Sequence, residues 1–505
     1  MIESVSIPPG LSLDHYASYA HLALAVQDLR AEAATVAPAL EGRKVWMINS
    51  TAQGGGVAEM LPRMISLLRE LGLEVEWLTF TPHDERFFPL TKKIHNLIHG
   101  AGDPTLSEEE RALYDEVSER LADELAPRLS SDDVMVVHDP QPAGMGALLE
   151  RRHPGLVTIW RCHIGLDEET PETRAAWDFL QPYICTYDHS VFSAPEYIPP
   201  FLTSKSTVIA PAIDPLTDKN RPLSVHQLAG VLRNAGLVFD DAPVLYPDYA
   251  HRAKRLDADG AFHPLSRDTD IGLLYRPIVT QVSRWDRLKG WDALLEGFAL
   301  MKRHREAIRG LDEVQRRRLD LVRLVLAGPD PASIQDDPEG REVLAELIDR
   351  YRNLPAEIRE DVALLSLPMA SRRENALMVN ALQNCSTIVA QNSLREGFGL
   401  TATEAMWKRA PVLGSTACGL RQQIRDGLDG RLNPSPTDAR CVADLLIEML
   451  GDPQRRDLYA RRGQRRVHEE FLVFAQLRRW LRLLSRAHGG TVEPVRRISS
   501  LPPEA

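Results

Sequence analysis

The chain of 505 residues alternates short β-rich apolar runs with helical patterns in two series, and this rhythm limits its fold more than any other feature. The first series begins with the run Lys44 to Ile48, followed by a polar, glycine-rich stretch from Asn49 to Gly56. Val57 to Leu71 then carries apolar residues at helical spacing and stops at Gly72. Glu74 to Phe80 alternates like a strand, and Val134–Val137, Leu156–Trp160, Ile184–Tyr187 and Thr207–Ala210 continue the series. The second series contains Ile278–Val282, Leu321–Leu326, Val362–Leu367, Thr387–Ala390 and Pro411–Gly414, again with helical stretches between. Alternation of this kind builds a parallel sheet with helices on both faces. Two α/β domains are therefore expected, at residues 44–210 and 277–470. Between them, residues 211–276 break the rhythm with several prolines and one helical pattern, Ser224 to Ala235, and read as linker plus insertion. Residues 1–43 read as an N-terminal extension carrying a helix from Leu13 to Leu29. An amphipathic helix is expected at 471–485, and a tail at 489–505.

Charge and composition narrow the partners. Sixty basic residues against 71 acidic ones give a net charge of −11. A mainly electrostatic nucleic-acid binder carries a basic excess, so no nucleic-acid partner is expected. No apolar run approaches the ~18 residues of a membrane span, so no membrane partner is expected either. Met1 to Val5 lacks the basic and apolar regions of a secretory signal. The cysteines (Cys162, Cys185, Cys385, Cys418 and Cys441) are scattered and form no CxxC pair, which suits a reducing compartment and suggests neither disulfides nor zinc. A soluble cytoplasmic protein is the expectation.

Ligands of open α/β sheets bind beyond the carboxyl ends of the strands, and the unusual motifs fall in those loops. Gly54–Gly56 separates a strand from a helix, where a phosphate or sugar can approach the backbone, or where the chain simply turns tightly. Ser283 to Gly290 holds Arg284 and Lys289, two cations suited to binding a diphosphate and stabilising it as a leaving group; a solvated charged loop reads the same way. Glu396 to Glu404 places two glycines before a helix whose first turn offers N–H groups. Along a helix, eight residues at ~1.5 Å rise would separate the glutamates by about 12 Å. Hydrolase pairs need about 5–9.5 Å, so the carboxylates suit sugar hydroxyls better than acid/base hydrolysis. His163 and the His138–Pro142 segment end two strands; a lone histidine there is a ligand contact or a satisfied structural residue.

Taken together these segments resemble a retaining glycosyltransferase of family 4, with the GT-B architecture of two Rossmann-like domains facing each other across a cleft. Glu396…Glu404 is similar to that family's E-x7-E motif, Arg284 and Lys289 to its phosphate-binding pair, Gly54–Gly56 to its glycine loop and His163 to its active-site histidine. A closer resemblance is to the trehalose synthase (glycosyltransferring) branch, related to retaining trehalose phosphorylases. It is carried by Asn49–Glu59, Thr91–Asn96, His138–Pro142, Arg161–Gly165 and Pro211–Leu216, and covers residues 44–485. The sequence departs from the branch in a longer 217–276 region and in the extension before Lys44.

The resemblance implies transfer of glucose from a nucleoside-diphosphate glucose to free glucose, forming trehalose reversibly. A phosphorylase using glucose 1-phosphate and phosphate, or a related transferase with another acceptor, stays open. Arg284, Lys289, Glu396 and His163 would be the catalytic set, with His163 near the donor C6 hydroxyl. Ser283, Gly55, Gly56, Glu396 and the backbone of Phe398, Gly399, Leu400 and Thr401 would hold the donor, and Glu404 its ribose. Lys92, His95, Asn96, Asp139, Gln141 and Arg161 would form the acceptor subsite, bordered by Gly54–Gly56. No cofactor would be obligatory and no metal bound, with Mg2+ at most stimulatory. The partners would be the nucleotide sugar and the sugar acceptor, with a homodimer allowed. The helix at 471–485 would cross back onto the first domain.

Overall fold

The computed structural model describes residues 1–7, 10–52, 55–239, 249–305, 308, 310–330, 333 and 338–487. The chain divides into two units: residues 1–212 together with the helix that starts at Val473, and residues 213–472. Among the described residues each unit is built on one mixed sheet.

The first sheet has seven strands: β1 (Ile2–Ser4), β2 (Lys44–Asn49), β3 (Glu74–Phe80), β4 (Val134–His138), β5 (Val157–Arg161), β6 (His189–Phe192) and β7 (Ser206–Val208), in the order β1-β3-β2-β4-β5-β6-β7. All neighbours are parallel except β1, which runs antiparallel along the edge of β3. Every residue of β4 is buried, as a central strand covered on both faces must be. Phe474, Leu477, Trp480, Leu481 and Leu484 line one face of helix Val473–Ala487 and are buried in this unit. On the same helix Arg478 donates to Glu32 at 2.6 Å, and Gln476 Nε2 donates to the Ala210 carbonyl at 3.2 Å.

The second sheet has eight strands: β8 (Lys254–Leu256), β9 (Phe262–His263), β10 (Ile278–Val282), β11 (Arg323–Pro329), β12 (Val362–Leu367), β13 (Ile388–Gln391), β14 (Val412–Ser415) and β15 (Arg431–Asn433), in the order β15-β14-β13-β10-β11-β12-β8-β9. The six strands β10–β15 follow the doubly wound order 3-2-1-4-5-6. The hairpin β8–β9 closes the edge of β12 in antiparallel pairing.

Several expectations shift. Residues 213–239 and 249–276, expected as linker plus insertion, belong to the second unit. Helix Val225–Asn234 starts from a Ser224–Gln227 capping box. Its Val231 and Leu232, with Leu237, Ile271 and Leu273, share a core with Val325, Ala363 and Leu365 of the sheet. The N-terminal extension is likewise built in: β1 covers a sheet edge and helix Ala20–Val36 packs six buried positions. Its expected helix divides into Leu13–Ala17 and Ala20–Val36. The run Ile184–Tyr187 is no strand. Helix Pro171–Ile184 takes up Ile184, and Tyr187 is buried with its hydroxyl donating to the Ala143 carbonyl at 2.7 Å. The tail at 489–505 and residues 240–248 lie outside the described residues.

Candidate active site

In the second unit the chain runs β10, β11, β12 and then returns to lay β13 on the other side of β10. The loops after β10 and β13 therefore leave neighbouring strand ends in opposite directions, the switch point at which doubly wound sheets bind ligands. They are Ser283–Gly290 and Asn392–Gly399. Gln281 of β10, fully buried, ties them together: its Nε2 donates to the Lys289 carbonyl at 2.8 Å and its Oε1 accepts the Asn392 N–H at 3.0 Å. Leu394 N–H donates to the Leu288 carbonyl at 2.7 Å. Gly290 turns through φ 63°, and a Cβ there would lie 2.1 Å from the Asn392 carbonyl oxygen, so only glycine permits this approach.

The result is a fixed pair: Lys289 Nζ donates to Glu396 Oε2 at 2.7 Å, and Ser393 Oγ donates to the same oxygen at 3.1 Å. Arg284 differs. Its side chain is 67% exposed and its nearest carboxylate, Asp286, lies 3.7 Å away. Ser283 Oγ accepts from Gln391 Nε2 at 3.1 Å. Gly399 takes the left-handed conformation, φ 82°, and caps helix Leu400–Trp407, which opens with Leu400 and Thr401. The loop before it is held from below. Gly419 N–H donates to the Glu396 carbonyl at 3.0 Å, Gln423 donates to the Phe398 carbonyl, and the Phe398 ring packs edge-on against Phe471 at 5.8 Å. Glu404 is buried one face away, with Lys219 3.6 Å from its Oε1. Beside it Lys408 donates to the Glu404 carbonyl, Gln383 and Asn220, and burial pushes its ammonium down to about 7.

In the first unit the switch lies between β2 and β4. Gly54 is outside the described residues; Gly55 and Gly56 open helix Gly55–Glu70 after β2. After β4, Asp139 adopts φ 64°, a left-handed turn that aspartate tolerates. That turn lets its N–H donate to the Arg161 carbonyl at 2.7 Å, its carboxylate accept the His163 N–H at 2.8 Å and its carbonyl accept Trp160 Nε1–H at 3.0 Å. His138 Nδ1 lies 2.9 Å from His163 Nε2. Buried Arg161 donates to Ser193 at 3.3 Å. Burial pushes the Asp139 carboxyl up to about 6, His138 down to about 3, His163 well down and the Arg161 guanidinium down to about 10. Gln141 is half-buried in the turn that follows.

Lys92, His95 and Asn96 share helix Phe87–Ile98, with Lys92 and Asn96 exposed and His95 pushed down to about 4 by burial. Among the described residues no hydrogen bond joins them to the Asp139 group.

Two family descriptions match the chain: "Trehalose synthase, N-terminal domain" over residues 47–199, and "Glycosyl transferases group 1" over residues 274–466. The trehalose synthase of Rubrobacter xylanophilus is 34% identical over 464 residues, 92% of this chain and 95% of that protein. That of Pyrococcus horikoshii is 32% identical over 451 residues, 89% and 91% of the two chains. The chain belongs to the trehalose synthase family of glycosyltransferases. Its fold is GT-B: an α,α-trehalose-phosphate synthase (UDP-forming) from Burkholderia xenovorans, solved with glucose-6-phosphate, superposes with a TM-score of 0.58 at 16% identity, over 88% of this chain and all of that one. All the candidate residues of this trehalose synthase family member lie inside one or other matched segment. Sequence reasoning passed over Gln281 and Gln423, on a strand and a helix, Ser393 in the loop after β13 and Lys408 at a helix end, polar residues that carry no motif. A buried glutamine inside an apolar strand, as at Gln281, is the one signal that could have marked them. No helix among the described residues is long and apolar enough to cross a membrane.

Proposed function

We propose that the protein transfers glucose from a nucleoside-diphosphate glucose to free glucose with retention, forming α,α-trehalose reversibly. The observation that carries this reading is the Lys289–Glu396 pair at the switch point of the second unit, with exposed Arg284 on the same loop. On this reading Arg284 and Lys289 hold the diphosphate and stabilise its growing charge. Glu396 and the backbone of Phe398–Thr401 orient the sugar, and the ribose hydroxyls compete with Lys219 for Glu404. No side chain acts as nucleophile. The C1–phosphate bond breaks, the acceptor oxygen joins C1 from the same face, and the acceptor proton passes to the departing phosphate oxygen. With two protein cations on the leaving group, no metal is obligatory. Asp139, Arg161 and Gln141 receive the acceptor, with Lys92, His95 and Asn96 completing its surroundings and His163 at the donor C6 hydroxyl. The five cysteines, none of them in a disulfide, favour a reducing, cytoplasmic setting.

The test is to incubate purified protein with glucose and UDP-, ADP- or GDP-glucose and to identify products. Trehalose and the nucleoside diphosphate are expected in equal amounts. Absence of both with every donor overturns the assignment, and loss of trehalose that needs phosphate but no nucleotide assigns a phosphorylase instead.

A further inference from the structure

His138 has no role in the reaction as written, yet it is almost completely buried at the end of β4 and touches His163. The parallel register sets His138 opposite Arg161, so the chain after Arg161 carries His163 beside the His138 ring. The two ring planes lie within 11° of each other with centroids 5.3 Å apart, so with the nitrogens in contact the rings meet edge to edge. His138 Nδ1 and His163 Nε2 are 2.9 Å apart, so one nitrogen carries the proton and the other the lone pair. Desolvation keeps both imidazoles neutral.

Two arrangements are possible. If His163 donates from Nε2, His138 must carry its own proton on Nε2. That nitrogen is buried and meets no acceptor, and a buried orphan N–H is the rarer and costlier defect. If His138 donates from Nδ1 instead, its buried Nε2 carries only the lone pair. His163 then accepts at Nε2 and bears its proton on Nδ1. His163 is only partly buried, and its Nδ1 is not among the enclosed, unpartnered atoms.

We propose that His138 is a positioning residue that locks His163 in the Nδ1-protonated tautomer and so makes His163 a hydrogen-bond donor to the bound sugar. The donor role rests on the reaction proposed above; the tautomer does not. The partner of one ring nitrogen decides which nitrogen of the other faces a ligand as donor.

Isotope-labelled histidine in the whole chain, read by two-bond proton–nitrogen correlation spectra, reports the tautomer of each ring. A His163→Asn variant identifies the His163 signals. Both His138 and His163 are expected with protonated Nδ1 and bare Nε2. In His138→Gln, which offers no N–H at the Nδ1 position, His163 should leave that tautomer and kcat/KM for the sugar donor should fall by up to ~100-fold. In His138→Asn, whose amide N–H replaces Nδ1–H, tautomer and rate should be largely kept. A wild-type His163 protonated at Nε2 overturns the proposal even if no variant folds, and so does an unchanged His163 tautomer in His138→Gln. An Nδ1 tautomer in a protein that transfers no glucose supports the lock and removes the reaction.

Discussion

The polar residues at the strand ends of the two units solve opposite problems. In the first unit, His138 meets His163, Asp139 accepts from the His163 N–H and donates to the Arg161 carbonyl, the Arg161 side chain donates to Ser193, and burial drives each group toward its neutral form. In the second unit, Arg284 extends into solvent and Lys289 is held by a carboxylate and by loops stitched through Gln281. A buried, self-satisfied network provides shape and directed hydrogen bonds. A held Lys289–Glu396 pair beside an exposed Arg284 provides charge that a ligand can neutralise. Recognition of an uncharged sugar suits the first, and stabilisation of a leaving diphosphate suits the second.

If the charged pair does the chemistry, its loss should have the largest effect. Lys289→Ala is expected to lower kcat by about 10²–10³-fold while the thermal midpoint changes little, measured by steady-state kinetics and a melting curve. A loss confined to KM would break the comparison by making Lys289 a binding group only. Next in size is the backbone that holds the pair. Gly290→Ala sets a Cβ against the Asn392 carbonyl and forces a left-handed alanine. Parting the two loops should cost up to ~100-fold in kcat/KM, with the fold retained by circular dichroism. A wild-type rate would show that the approach of the loops is incidental.

The buried network should show itself through pH. Unfolded histidines titrate near ~6.5 and an unfolded aspartate near ~3.9. As pH falls through that window, the unfolded chain binds protons on His95, His138 and His163 while the folded unit, with His95 at about 4 and His138 at about 3, does not. Stability contributed by these groups is therefore lost on acidification. Asp139, raised to about 6, acts the other way, since the folded carboxyl takes its proton first. Three histidines against one carboxyl leave a net loss, at about 1.4 kcal/mol per pH unit for each net proton. In the second unit Lys408, lowered to about 7, contributes on the alkaline side: stability rises from there toward the ordinary lysine value as pH rises. Hydrogen exchange of β4 and β5 amides, corrected for intrinsic rates, should show weaker protection at about pH 5 than at about pH 7. Strands β10 and β13 should change less, and equal changes would erase the contrast.

The central strands were legible in the sequence because parallel strands buried on both faces are written as apolar runs, as in Val134–Val137 and Val362–Leu367. The edge strands were not. Ile2–Ser4 and Phe262–His263 are too short to carry a period and exist because an edge of β3 or β8 pairs with them. In the same way Arg284, Lys289, Glu396 and Glu404 could be singled out from their motifs and the family resemblance, whereas the His138–His163 contact could not. Those histidines are 25 residues apart, and only the β4–β5 register joins them. Ile184–Tyr187 misled because a helix end and the turn after it, which bury Ile184 and Tyr187 and leave Cys185 exposed, read in sequence like a short strand.

The smallest expected effect tests whether charge on the β10 loop matters by place or by amount. Arg287 lies between Arg284 and Lys289 and is equally cationic. It turns away, donating through both terminal nitrogens to Glu346 on helix Pro338–Arg352, at 2.6 and 2.8 Å. An exposed ion pair of this sort is screened by water and salt and holds little stability. Arg287→Ala removes a full positive charge from the loop while leaving Arg284, Lys289 and the Gln281 stitch untouched. Its kcat and its melting temperature should match the wild type, and its salt dependence should be unaltered. A loss of turnover approaching that of Lys289→Ala would mean that the loop works as a diffuse positive patch. The pairing of Lys289 with Glu396 would then be a consequence of crowding, and the distinction between a placed charge in the second unit and a placed hydrogen bond in the first would fail.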